Sequence, residues 1–94
     1  MASIEVYTTP YCPYCIAAKE LLSRKGAEFV EINVAGNRDL RAKMVERAGG
    51  RTTVPQIFIG DTHVGGCDDL YALDREGRLD AMLAAQETVN GAIS

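Results

Sequence analysis

The sequence predicts an α/β domain, a mixed four-stranded sheet flanked by helices. Three observations carry this prediction. From Ile4 to Ala48, strand-like alternation gives way to helical spacing twice over, which is the order of a βαβ unit. Gly60-Asp61, set between two short strand-like runs, is a two-residue hairpin signal that adds an antiparallel pair. The chain has 94 residues, 47% of them hydrophobic and 24% charged, enough for one modest core.

Taken in order, Ile4, Val6 and Thr8 alternate with Glu5 and Tyr7 as a first strand, and Pro10 ends it. After Tyr11-Cys12-Pro13-Tyr14-Cys15 comes a helical pattern with Cys15, Ala18 and Leu22 on one face and Leu21 beside them. Lys19, Arg24 and Lys25 make its solvated side, and Gly26 is the expected stop. Phe29 to Val34 reads as a second strand, with Val30, Ile32 and Val34 facing one way. Leu40, Met44 and Ala48 fall at helical spacing, and Gly49-Gly50 breaks that helix. Gln56 to Ile59 and Thr62 to Val64 are the hairpin strands. Asp68 is a candidate N-cap for a helix carrying Leu70 and Leu73. A last helix is expected from near Glu76, using Leu79, Met82 and Leu83. The domain is expected to span 1–86, with 87–94 a frayed tail of little apolar content.

The formal net charge is −3, and Lys and Arg are spread along the chain. Nucleic acid is therefore not an expected partner, since phosphate binding needs a concentrated basic patch. Met1 to Thr9 lacks the basic and apolar regions of a signal peptide. The apolar runs are too short to span a bilayer. A cytoplasmic protein with no membrane partner is expected. There are three cysteines, an odd number that argues against a secreted disulfide scaffold. A C-x-x-C pair in a reducing compartment reads as redox or metal chemistry.

Cys12 lies between a strand end and a helix start. Amides there are unpaired and carry partial positive charge, so they stabilise a thiolate. Pro13 fits the first helical position, where its missing N–H costs nothing. Cys15, three residues on, lies on the same side of the first turn. The expectation is that Cys12, more exposed, attacks and Cys15, more covered, resolves. The competing metal reading needs two further ligands, and His63 with Cys67 is the constellation available. The Pro and the strand–helix setting favour redox use. Outside that reading, Cys67 is a small buried apolar residue and His63 an ordinary surface residue of the hairpin. Tyr7, Tyr71 and Phe58 read as core or half-core.

Cys12-Pro13-Tyr14-Cys15, Thr53-Val54-Pro55 and Gly65-Gly66-Cys67-Asp68-Asp69, at these separations, resemble the dithiol glutaredoxins, in the short bacterial single-domain form. The resemblance covers roughly residues 3 to 85. It implies a thioredoxin-like fold, no bound cofactor, a monomer, and glutathione as co-substrate. It further implies a cis Pro55 and a glutathione site made of Tyr14, Thr53, Val54, Pro55, Gly66, Cys67, Asp68 and Asp69. In that site the Val54 backbone would pair with the cysteine of glutathione. The Cys67 and Asp68 amides would take the γ-glutamyl carboxylate, and Asp68 or Asp69 its ammonium. One departure stands out. Thr9 occupies the place of a lysine that many members carry three residues before the first cysteine. Arg41 could supply a positive charge instead, or be only a solvated helix residue. Disulfide-containing and glutathionylated proteins, ribonucleotide reductase among them, are the substrates the resemblance implies. The alternatives are a redoxin reduced by thioredoxin reductase, and an iron–sulfur or zinc carrier using Cys12.

Overall fold

The computed structural model describes residues 4–84. The order is β1 (Ile4–Thr8), α1 (Pro13–Arg24), β2 (Val30–Asn33), α2 (Arg38–Arg47), β3 (Gln56–Ile59), β4 (Thr62–Gly65) and α3 (Cys67–Arg75), and residues 78–84 are helical as well. The four strands form one sheet in the order β2-β1-β3-β4. β1 pairs in parallel with β2 and antiparallel with β3, and β3 pairs antiparallel with β4. The mixed four-stranded sheet flanked by helices is thus observed. The tail expected over 87–94 lies outside the described residues.

Strand alternation here separates two buried faces rather than core from solvent. Ile4, Val6, Ile57 and Ile59 pack on Ala18, Leu21 and Leu22 of α1, with Leu70, Leu79 and Leu83 closing the layer. On the other face Tyr7 and Phe58 pack with Val34 and with Met44 and Ala48 at the end of α2. Tyr7 and Phe58 meet edge to face with ring centroids 5.7 Å apart, a favoured aromatic geometry. This accounts for the buried Tyr7 and Phe58 and the half-buried Tyr71 expected from the sequence.

The helix stops are local. Past the α1 C-cap Lys25, Gly26 has φ +72, the Gly26 N–H donates to the Ser23 carbonyl and the Ala27 N–H to that of Leu22. This is the Schellman pattern, and it needs the left-handed residue that glycine supplies. Gly60, with φ +60, opens the two-residue turn between β3 and β4, as a II′ hairpin requires.

Four expectations are corrected. Asp68 is not the N-cap of α3; Gly66 is, because the carboxylate that reaches back to a free backbone N–H is that of Asp69. The last helical stretch starts at 78 rather than near Glu76, because Gly77 with φ +75 interrupts the backbone. Lys19 and Lys25 are half-buried rather than fully solvated, since Lys19 pairs with Glu31 and Lys25 with Asp74 and Asp80. β2 is shorter than expected, and Val30 stands 59% exposed on the sheet's edge strand.

Candidate active site

Three segments converge at one end of the sheet: the turn from β1 into α1, the loop before β3, and the start of α3. Tyr11 has φ +62, a left-handed conformation uncommon outside glycine. It turns the chain out of β1 and is 98% exposed. Cys12 follows in extended conformation as the N-cap of α1, and Pro13 is the first helical residue. The Cys12 sulfur accepts the backbone N–H of Cys15 at 3.2 Å, and the Cys12 carbonyl accepts the N–H of Ile16 at 3.1 Å. A thiolate at Cys12 would thus sit on amides that the helix leaves unpaired.

The two thiols differ as expected. Cys12 is half-buried, while Cys15 is 1% exposed on the core side of α1. Burial, reinforced by the hydrogen bond with Cys12, pushes the Cys15 thiol up to about 12, against a smaller opposing effect of the Thr9 backbone. Cys15 therefore keeps its proton near neutral pH.

The Val54–Pro55 bond is cis. The Cys12 thiol lies 3.9 Å from the Val54 carbonyl oxygen, as donor to it. Beyond Val54 opens a cleft lined by Tyr14, Arg51, Thr53, Val54, Pro55, Gly66, Cys67, Asp68 and Asp69. All eight residues that the resemblance assigned to one site are thus brought together. Tyr14 is 64% exposed and stands at the rim. Cys67 is buried at the first position of α3; burial raises its thiol pKa, as do the charge of Asp68 and the neighbouring Cys12. The Asp69 carboxylate accepts the Gly66 N–H at 2.9 Å and pairs with Arg51 at 3.1 Å. The Gly66 amide, ahead of Arg51, holds it below the ordinary carboxylate range.

Arg41 does not line this cleft. Its guanidinium donates to the Thr52 carbonyl at 3.0 Å, so it braces the strip before Val54 from outside. Arg51 is the cation in the cleft, and sequence reasoning missed it; its place next to Thr52-Thr53 was the available signal. His63 is also corrected. It is half-buried, stacked on Phe58 with centroids 4.9 Å apart, and bonded to Gln56, because the hairpin folds its ring onto the sheet. Among the described residues, no three of His, Cys, Asp and Glu converge as a metal cage would require. No helix among them is long and apolar enough to cross a membrane.

A parallel β1–α1–β2 unit, an antiparallel hairpin, and a C-x-x-C pair whose first sulfur caps a helix define a thiol–disulfide oxidoreductase of the thioredoxin-like class. The glutaredoxin family model matches residues 4–64, and the chain belongs to the glutaredoxin family. It is 60% identical over 85 residues to a glutaredoxin of Pseudomonas aeruginosa, covering 90% of this chain and all of the relative. The solution structure of a Brucella melitensis glutaredoxin superposes with a TM-score of 0.77 at 61% identity, covering 88% of this chain and 89% of that one. A crystal structure of a buckwheat glutaredoxin–glutathione complex superposes at 0.81 with 33% identity, covering 89% and 78%.

Proposed function

We propose that the protein reduces protein disulfides and protein–glutathione mixed disulfides with glutathione as electron donor, as a cytoplasmic monomer. The carrying observation is the cleft itself. It joins the Val54 backbone strip, beside the Cys12 sulfur, to the N-terminus of α3. Glutathione has the matching parts: a thiol, a peptide backbone and a γ-glutamyl end carrying both charges. Its cysteine backbone would pair with the Val54 N–H and C=O, and its γ-glutamyl carboxylate would take the Cys67 and Asp68 amides. Arg51 supplies a cation at that end. Asp69 is already engaged with Gly66 and Arg51, which leaves the exposed Asp68 for the ammonium group. A relative with the same overall fold forms a complex with glutathione.

The Cys12 thiolate attacks the glutathione sulfur of a mixed disulfide. The protein sulfur leaves with the electron pair and takes a proton, and Cys12 keeps the glutathione. The thiolate of a second glutathione attacks that sulfur, which yields glutathione disulfide and frees Cys12. On a protein disulfide, Cys12 forms the mixed disulfide instead. Cys15 then attacks the Cys12 sulfur, losing its proton as the substrate thiol departs, and two glutathiones reduce the resulting Cys12–Cys15 bond.

The test is NADPH consumption coupled through glutathione reductase, with a small glutathione mixed disulfide as substrate. Wild type and Cys15→Ser turn over and Cys12→Ser does not. A wild type inactive with glutathione, but active with thioredoxin reductase as donor, would overturn the glutathione reading.

A further inference from the structure

Gln56 follows the cis proline and its side chain is fully buried. Its Nε2 donates to the Thr53 carbonyl at 2.9 Å and to the Thr53 hydroxyl at 3.2 Å. Its Oε1 lies 2.7 Å from His63 Nε2. The polarity of this chain is forced. A carbonyl only accepts, so Gln56 must present its amino group to Thr53 and its oxygen to His63; His63 Nε2 must then carry a proton and donate. The ring that does so is held flat on Phe58, whose ring also lies 4.1 Å from the Arg47 guanidinium carbon. Thr53 is a wall of the cleft, and its carbonyl belongs to the peptide that carries the Val54 N–H.

We propose that Gln56 and His63 are positioning residues, a buried donor relay from β4 through β3 that fixes the Thr53–Val54 strip for the peptide backbone of the substrate. The inference rests on the glutathione reading of that cleft. Neither side chain touches the reacting sulfur. The relay works on the binding edge, so its loss weakens substrate capture while the chemical step at Cys12 is retained. Either charge state of His63 can donate from Nε2, so the relay holds whether or not the ring is protonated.

The experiment compares Gln56→Leu, His63→Phe and His63→Gln with wild type, reading KM for a small glutathione mixed disulfide, kcat, and the Val54 amide nitrogen shift without ligand. His63→Phe keeps an aromatic ring for Phe58 and loses the donor; His63→Gln places a donor near the Nε2 position. Gln56→Leu and His63→Phe should raise KM about five-fold, the worth of one ordinary hydrogen bond, with kcat within about two-fold. Both should shift the Val54 resonance, and His63→Gln should restore both readings. An unmoved KM and Val54 resonance in the first two variants overturns the relay. So does an equal KM rise in His63→Phe and His63→Gln, which would show that a donor at this position makes no difference to binding. A shifted Val54 resonance with no glutathione-dependent turnover in wild type overturns the substrate reading and leaves the hydrogen-bonded relay standing.

Discussion

The Cys12 sulfur and the Cys15 backbone N–H are joined at 3.2 Å, so the two cysteines share a hydrogen bond before any sulfur–sulfur bond exists. The same turn puts one sulfur at the helix end and buries the other. Solvent access is therefore divided unequally between two residues three positions apart.

This division predicts an alkylation pattern. At neutral pH, iodoacetamide should modify Cys12 and spare Cys15 and Cys67, whose thiols are held up by burial. A depressed thiol reactivity at Cys15 should persist until the pH nears its value of about 12. Mass spectrometry of the treated native protein reads the count. Two rapid modifications at neutral pH would mean that Cys15 or Cys67 is open to solvent.

His63 sets a pH dependence of stability. Burial first, then Arg51 and Arg47, hold the ring below its ordinary 6.5, and Asp69 opposes them. The unfolded chain thus takes up a proton at higher pH than the folded one. This stability is present above the unfolded value and is lost as the pH falls through the lowered folded value. Urea unfolding at about pH 7.5 and about pH 5.5 should show a drop in wild type that is smaller in His63→Gln. Equal drops would assign the effect to other groups.

Gly65→Ala should destabilise the site by more than about 1 kcal/mol. Gly65 has φ +115, and a Cβ there would collide with the Asp69 carboxylate and the Arg51 guanidinium. The Asp69–Gly66 bond that starts α3 would have to move. Circular dichroism melting reads the stability loss, and a glutathione titration reads the damage to the cleft. A variant as stable as wild type would mean that Asp69 can swing aside.

Leu22→Ala should cost about 2–5 kcal/mol, the range for a buried leucine. Leu22 is fully buried in the layer between the sheet and α1. Urea unfolding with unchanged m-value is the check, and a loss below about 1 kcal/mol would mean that the layer closes over the gap.

Much of this was legible in the sequence because it is local. The stops at Gly26, Gly49-Gly50 and Gly60-Asp61 depend on backbone conformations only a few residue types adopt readily. The unequal cysteines follow from Pro13 and the strand-to-helix boundary. Asp68 and Asp69 were harder to separate, because either carboxylate can reach back to a helix start. Which one does so depends on where Gly66 is anchored.

The sequence alone determined the α/β order, the hairpin and the pair of sulfurs at a helix start, since each rests on spacing within a few residues. The resemblance in its motifs added the grouping of Tyr14, Thr53–Pro55 and Gly66–Asp69. Only the tertiary structure decided that Arg51 rather than Arg41 lines the cleft, and that His63 and Gln56 stand behind its wall. Those roles come from side chains on separate elements and loops meeting in space. Gln56 could be buried only because His63 and Thr53 both arrive to satisfy it, and an unsatisfied buried amide is too costly to keep.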